Sequence, residues 1–192
     1  MKEYQYCFVG IPLPIKYQGE FGDLLIDIKN IDPNLEIEDP NKLEPHVTIY
    51  YLGQQPEELI PEITGVVNSY VSLLQGVNLR VGKLGFFGEN NPRVSFLNVR
   101  YPSALCNFNE ILAKNLARFT TGDENLPFHP HMTVAKMNTE TAQASFISNR
   151  VQLEERLSKV RWEFPVTEVV LFGVDPTQKP KVQQKLATIN AR

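Results

Sequence analysis

Apolar positions along the chain change their period several times, and each change marks an element. Residues 4–12 are aromatic and aliphatic (Tyr6, Phe8, Val9, Ile11) and run into Pro12 and Pro14, which predicts a strand that finishes before the prolines. Between 19 and 30, Phe21, Leu24, Leu25 and Ile28 fall at helical spacing. Residues 31–45 read as a loop rich in Asp, Asn, Pro and Glu, with a short strand at 35–37. A strand is predicted over 46–52, closed by Gly53, and a helix over 56–74 whose inner face carries Leu59, Ile63, Val66, Val67, Tyr70, Val71 and Leu74. Two strands, 77–87 and 93–101, are joined by the hairpin-type connection 88–92. A third helix, 103–120, starts after Pro102 and is apolar at Leu105, Phe108, Ile111, Leu112, Leu116 and Phe119. The polar loop 121–125 leads into a strand over 128–137. Residues 139–158 are less regular and read as a short helix followed by a helix or loop. A β-rich run over 161–172 is expected to pair with a last strand over 181–189.

The order of these elements repeats. Strand, helix, strand, helix, strand occupies the first part, and the same succession occupies the second, a weak internal repeat of roughly 90 residues. Two α/β lobes related by a pseudo-two-fold would then share a cleft. No Gly/Ser linker divides the 192 residues, so one domain over 1–192 is expected, built of two intertwined lobes.

Composition narrows the partners. A formal net charge of −3, from 19 basic and 22 acidic residues, provides no global basic footprint, so long duplex nucleic acid is not an expected partner. A local cluster can still hold a small anion. Cys7 and Cys106 have no metal-ligand spacing and read as free thiols of a cytoplasmic protein. The first residues carry mixed charge without an apolar stretch, unlike a signal peptide, and no run of about 18 apolar residues could span a membrane. A monomer is expected.

The two middle strands of the repeat carry the chemistry. Pro45-His46-Val47-Thr48-Ile49 and Pro130-His131-Met132-Thr133-Val134 copy one another. Side chains at i and i+2 of a strand share a face, so each copy presents an imidazole beside a hydroxyl. Cleaving a phosphodiester requires one proton taken from the nucleophile and one given to the leaving oxygen. Histidine does either near neutral pH, and Thr hydroxyls can donate to the non-bridging oxygens. Against this stands the ordinary reading of a buried His or a strand Thr as structural; the repeated offset favours function. His129, two residues before His131, suggests a zinc site with His46 and His131, although Pro130 interrupts the strand between them and the threonines would be unexplained. His129 is expected instead at the cleft rim. Tyr50 shares parity with His46 and Thr48 and is a possible substrate contact. So are Phe86, Phe87 and Phe128, which could stack a base, and Arg93, Lys83 and Lys42, which could hold phosphate; core packing or solvated charge is the plainer reading of each.

These motifs resemble the paired His-x-Thr-x signatures of the two-histidine phosphoesterases, in particular the 2'-5' RNA ligase-like and cyclic phosphodiesterase branch. Phe8-Val9-Gly10-Ile11-Pro12, Leu52-Gly53, Leu84-Gly85-Phe86-Phe87-Gly88, Pro92-Arg93-Val94 and Val169-Val170-Leu171-Phe172 resemble its other segments. The resemblance implies an α+β, bilobal duplicated fold: two antiparallel sheets with outer helices flanking a central cleft. It implies His46 and His131 as the catalytic pair and Thr48 and Thr133 as phosphate-holding residues, with no metal or other cofactor. A small nucleotide or an RNA terminus is the implied substrate, cleaved as a 2',3'-cyclic phosphate, a 2'-5' linkage or an oligonucleotide signal, with reverse 2'-5' ligation as the same step run backwards. A nucleotide-binding module without turnover is the remaining alternative. Lys136 follows the second motif as basic residues often do in this family, but strand parity sets it opposite His131 and outside the site.

Overall fold

The first strand, β1 (Glu3–Pro12), ends at a proline pair, and α1 (Ile15–Ile31) begins directly after Pro14, four residues earlier than apolar spacing suggested. The reason is partly local and partly distant: Pro14 sits extended at φ −55° and ψ 141°, its carbonyl accepts from the Tyr17 amide, and the Tyr17 ring packs on Trp162 from the far end of the chain. The chain continues through β2 (Glu36–Ile37), β3 (His46–Pro56), α2 (Ile60–Tyr70) between short 3₁₀ turns, β4 (Asn78–Phe87), β5 (Val94–Arg100), α3 (Ser103–Leu116), β6 (His131–Lys136), α4 (Glu140–Leu157), β7 (Trp162–Pro165), β8 (Glu168–Val174) and β9 (Gln183–Asn190). This computed structural model describes residues 2–121 and 127–191, so most of the polar loop expected at 121–125 lies outside the described residues.

Three sequence expectations need correction. Gly53 does not close β3. It takes φ +78° inside the strand, where a Cβ would stand 2.1 Å from the Thr121 carbonyl oxygen, and β3 runs on to Pro56. Residues 140–157 form one continuous helix, whose start is capped by the Thr139 hydroxyl accepting from the Ala142 amide. Its apolar stripe is narrow (Ala142, Phe146, Leu153, Leu157), while Ile147 and Val151 are 59% and 77% exposed, which hides the period. Burying a side chain such as Phe146 is worth about 1.5–3 kcal/mol, so a narrow stripe suffices to dock the helix. Finally, the β-rich run 161–172 is two strands in different sheets.

The sheets have orders β3-β1-β8-β9 and β2-β6-β5-β4-β7, antiparallel throughout. Setting aside the short β2, β6-β5-β4-β7 corresponds in order to β3-β1-β8-β9, which is the pseudo-two-fold. The halves are interleaved, because β4 follows the first copy in sequence but pairs in the second copy's sheet, and β8 returns from the end of the chain to the first. Helices cross over as well. Tyr17 and Phe21 of α1 pack on Trp162 of β7, while Asn109 of α3 donates to the Ile49 carbonyl of β3. One buried cluster runs through the helix-covered faces of both sheets, and β8 shows the division by parity: Val169 and Leu171 join it, whereas Val170 and Phe172 form a second, small cluster with Phe8 and Tyr51 on the open face. Among the described residues no helix is long and apolar enough to cross a membrane.

Candidate active site

The open faces of the two sheets meet at a cleft of about 460 Å³, lined by His46, Thr48, His131 and Thr133 among others. The tertiary structure thus brings together two motifs 85 residues apart in sequence. In both copies the imidazole is held the same way. His46 Nδ1 lies 2.7 Å from the Glu44 carbonyl oxygen, and His131 Nδ1 lies 2.7 Å from the His129 carbonyl oxygen. A carbonyl only accepts, so each Nδ1 carries the hydrogen and each Nε2 is left with a lone pair on the opposite side of the ring.

Aromatic walls hold the rings. His46 stacks on Phe8 at 4.5 Å between centroids and touches Phe172 at 5.5 Å. Phe87 and Phe96 flank His131 edge-on and tilted, at 5.0 and 4.8 Å. Room for Phe96 comes from Gly85, where a Cβ would fall 2.2 Å from the Phe96 ring. These walls remove water, and desolvation disfavours the charged imidazolium. Burial pushes His46 from its ordinary 6.5 down to about 4, and the charges of His131 and Lys136 act in the same direction, partly offset by the Glu44 carbonyl. His131 is lowered by burial and then by the charge of His129, against the raising effect of the His129 carbonyl.

Strand irregularity decides which neighbours join the site. Opposite Val9 and Gly10, β3 holds one extra residue, Ile49, between Tyr50 and Thr48. Opposite Ser95 and Phe96, β6 holds one extra residue, Val134, between Ala135 and Thr133. Each bulge follows the motif threonine and reverses the alternation beyond it. Tyr50 consequently turns to the helix side, where its hydroxyl lies 2.7 Å from Thr120 Oγ1, and Tyr51 lines the cleft instead. Lys136, which strict alternation set outside the site, lines the cleft and pairs with Glu38 at 2.9 Å. Tyr51 and Lys136 occupy equivalent positions, five residues after their histidines.

Several other candidates are not brought in. Phe86 packs at 5.5 Å on Phe146 of α4, with Arg150 over its ring, while its neighbour Phe87 faces the site. Phe128 lies against Tyr101 at 6.0 Å and on the core. Arg93 serves through its backbone, donating to the Phe87 carbonyl and accepting from the Met137 amide, and does not line the cleft. His129 contributes its carbonyl, its ring resting against Phe87 and Phe96 at 5.4 Å each. Among the described residues, no three His, Cys, Asp or Glu side chains form a group that could hold a metal ion, so His46, His129 and His131 do not assemble as a zinc triad. Lys42, Lys136 and Lys181 line the cleft with Glu38; Lys42 pairs with Asp39 at 3.1 Å and Lys136 with Glu38, and the three lysines still give an anion cationic partners despite the acidic chain. Of these residues Tyr51 was not singled out by the sequence, and Phe8 and Phe172 were marked only as parts of strands, because their place beside His46 depends on strands returning from elsewhere.

A symmetric pair of His-x-Thr strands facing one basic cleft defines a protein built like a two-histidine phosphoesterase. The family model of the 2'-5' RNA ligase superfamily matches residues 27–177, and the chain belongs to that superfamily. It is 27% identical over 186 residues to the RNA 2',3'-cyclic phosphodiesterase of Bacillus subtilis (strain 168), covering 93% of each chain. Its fold is similar to that of TT0787 of Thermus thermophilus (TM-score 0.70, 20% identity, 97% of this chain and 98% of that one). It is also similar to E. coli LigT complexed with 3'-AMP (TM-score 0.63, 20% identity, 97% and 98%).

Proposed function

We propose that the protein is a phosphodiesterase that opens 2',3'-cyclic phosphates at small nucleotides or RNA ends, with His46 and His131 as acid–base catalysts. The observation that carries this reading is the matched pair of imidazoles, each tied at Nδ1 to a carbonyl of its own chain and each lining one cleft beside a threonine hydroxyl. Support also comes from the names of similar proteins: the Bacillus subtilis relative is an RNA 2',3'-cyclic phosphodiesterase, and the LigT structure holds 3'-AMP.

The step balances with these groups alone. The lone pair on Nε2 of one histidine takes a proton from water as the oxygen attacks phosphorus, and the other histidine, protonated, donates from Nε2 to the ribose oxygen as its bond to phosphorus breaks. Thr48 and Thr133 donate to the non-bridging oxygens, and Lys136 adds positive charge beside them. With a ribose 5'-hydroxyl in place of water as the attacking group, the same ring opening breaks the bond to the 3' oxygen and leaves a 2'-5' linkage; run backwards, that step cleaves a 2'-5' linkage to the cyclic phosphate. Because both imidazoles are neutral near pH 7 in the free protein, the acid becomes protonated as the phosphodiester's negative charge enters. The kcat/KM profile should therefore be bell-shaped, with its maximum on the acidic side of 6.5. We place the enzyme as a monomeric, single-domain protein of the cytoplasm.

The test is a panel of 2',3'-cyclic mononucleotides and of 2'-5' and 3'-5' dinucleotides, assayed with EDTA present. Turnover of the cyclic phosphates that is indifferent to chelator supports the reading. Activity abolished by EDTA and restored by zinc, or binding without turnover, overturns it.

A further inference from the structure

His46 is only as well placed as the Glu44 carbonyl that holds its Nδ1, and that carbonyl lies in a segment without secondary structure, 38–45, just before β3. A turn in which the Lys42 and Leu43 amides donate to the Asp39 carbonyl shapes its first part, and a hold on its last part comes from the far end of the chain. The Glu44 amide donates to Oε1 of Gln183 at 3.0 Å, and the Gln183 amide donates to the Lys42 carbonyl at 2.8 Å, so the first residue of β9 clamps the segment from two sides. The Glu44 carboxylate is held by Lys185 at 3.0 Å and by Gln18 Nε2 at 3.4 Å. Beyond it, the Leu13 amide donates to the Pro45 carbonyl at 2.8 Å. Glu44 is therefore gripped at its amide by Gln183, at its side chain by Lys185, and passes the constraint on at its carbonyl to the imidazole.

Gln183 Nε2 is buried without a hydrogen-bond partner among the described residues. Leaving such a donor unmade is unfavourable, so packing alone does not account for the amide. Gln183 lines the cleft, and its oxygen is what holds the Glu44 amide. Resting on the assignment of His46 as a catalyst, we infer that Gln183 is a positioning residue, acting through the Glu44 backbone to hold the His46 ring and its Nδ1–H tautomer. Lys185 plays the lesser part: its pair with Glu44 is partly exposed, and such pairs contribute little.

The inference separates two variants at one position. Gln183→Leu removes the acceptor, and Gln183→Glu keeps it. With a cyclic mononucleotide as substrate, Gln183→Leu should lower kcat roughly 10- to 100-fold at a nearly unchanged KM, since a small misplacement of a reacting group costs about that much. Gln183→Glu should recover most of the loss, and Lys185→Met should lower kcat by less than about 3-fold. Independently of turnover, ¹⁵N NMR of the imidazoles should show the His46 Nδ1–H exchanging faster in Gln183→Leu, with His131 unmoved. A Gln183→Leu effect confined to KM would make the amide a substrate ligand and overturn the inference, as would unchanged kcat with an unchanged His46 signal. Absence of wild-type turnover would instead overturn the function proposed above while leaving the NMR comparison to decide the positioning role.

Discussion

The lobe carrying His46 and the lobe carrying His131 reach one local geometry through different supports. In both, the ring binds the carbonyl two residues back, a threonine follows at i+2 and a bulge follows the threonine. Beyond that the lobes part. Glu44, which holds His46, is anchored by side chains from β9 and α1, whereas His129, which holds His131, rests on Phe87 and Phe96. Five residues past the histidine one lobe places Tyr51 in the cleft and the other Lys136. Strand pairing has kept equal what needs equal geometry, and has left charge and buttressing free to diverge. The site is symmetric in shape and asymmetric in electrostatics.

The strongest way to break this comparison is to remove one imidazole at a time. His46→Ala and His131→Ala should each lower kcat/KM by about 10²–10⁴-fold, and the double variant should cost little more than either, because the proposed acid and base act in one step. Thr48→Val and Thr133→Val should cost roughly 10–10²-fold each and nearly equally. A histidine variant that keeps more than about a tenth of wild-type activity would remove that residue from the mechanism.

A smaller effect sharpens the electrostatic difference. Lys136→Met should raise KM about 10-fold for an anionic substrate, since bonds to charged groups are worth about 1.5–3 kcal/mol, and should flatten the salt dependence of KM. Tyr51→Phe should alter KM less and leave the salt dependence in place. Equal salt responses would erase the distinction between the lobes.

The smallest effect is on stability. Both imidazoles have folded-state pKa values below the ordinary 6.5, His46 at about 4. Protonation therefore favours the unfolded chain, and the contribution is complete above 6.5 and lost as pH falls towards 4. Tm should decline through that window, and His46→Gln should decline less steeply than wild type; an identical slope would mean that His46 is not desolvated.

The paired motif, the placing of His46, Thr48, His131 and Thr133 in one cleft, the duplicated order of elements and the hairpin over 77–101 could all be read directly. Each rests on local period, turn residues or literal repetition, and local physics leaves such marks in sequence. Tyr50 and Lys136 were misplaced for one kind of reason. Alternation predicts a face only while the ladder is regular, and the extra residues Ile49 and Val134 are visible only against their partner strands. The narrow stripe of α4 and the split of 161–172 between two sheets were equally hidden, because burial there depends on elements distant in the chain.

By itself, then, the sequence determined the candidate chemistry: which side chains repeat, at what spacing, on which strands. Tertiary structure alone decided the electrostatics and the support of that chemistry. The aromatic walls that lower the histidines, the entry of Tyr51 and Lys136, and the clamp of Gln183 on Glu44 all depend on pairings between residues far apart in the chain. A linear pattern encodes neighbours along the chain, and these contacts exist only once the two copies have exchanged strands.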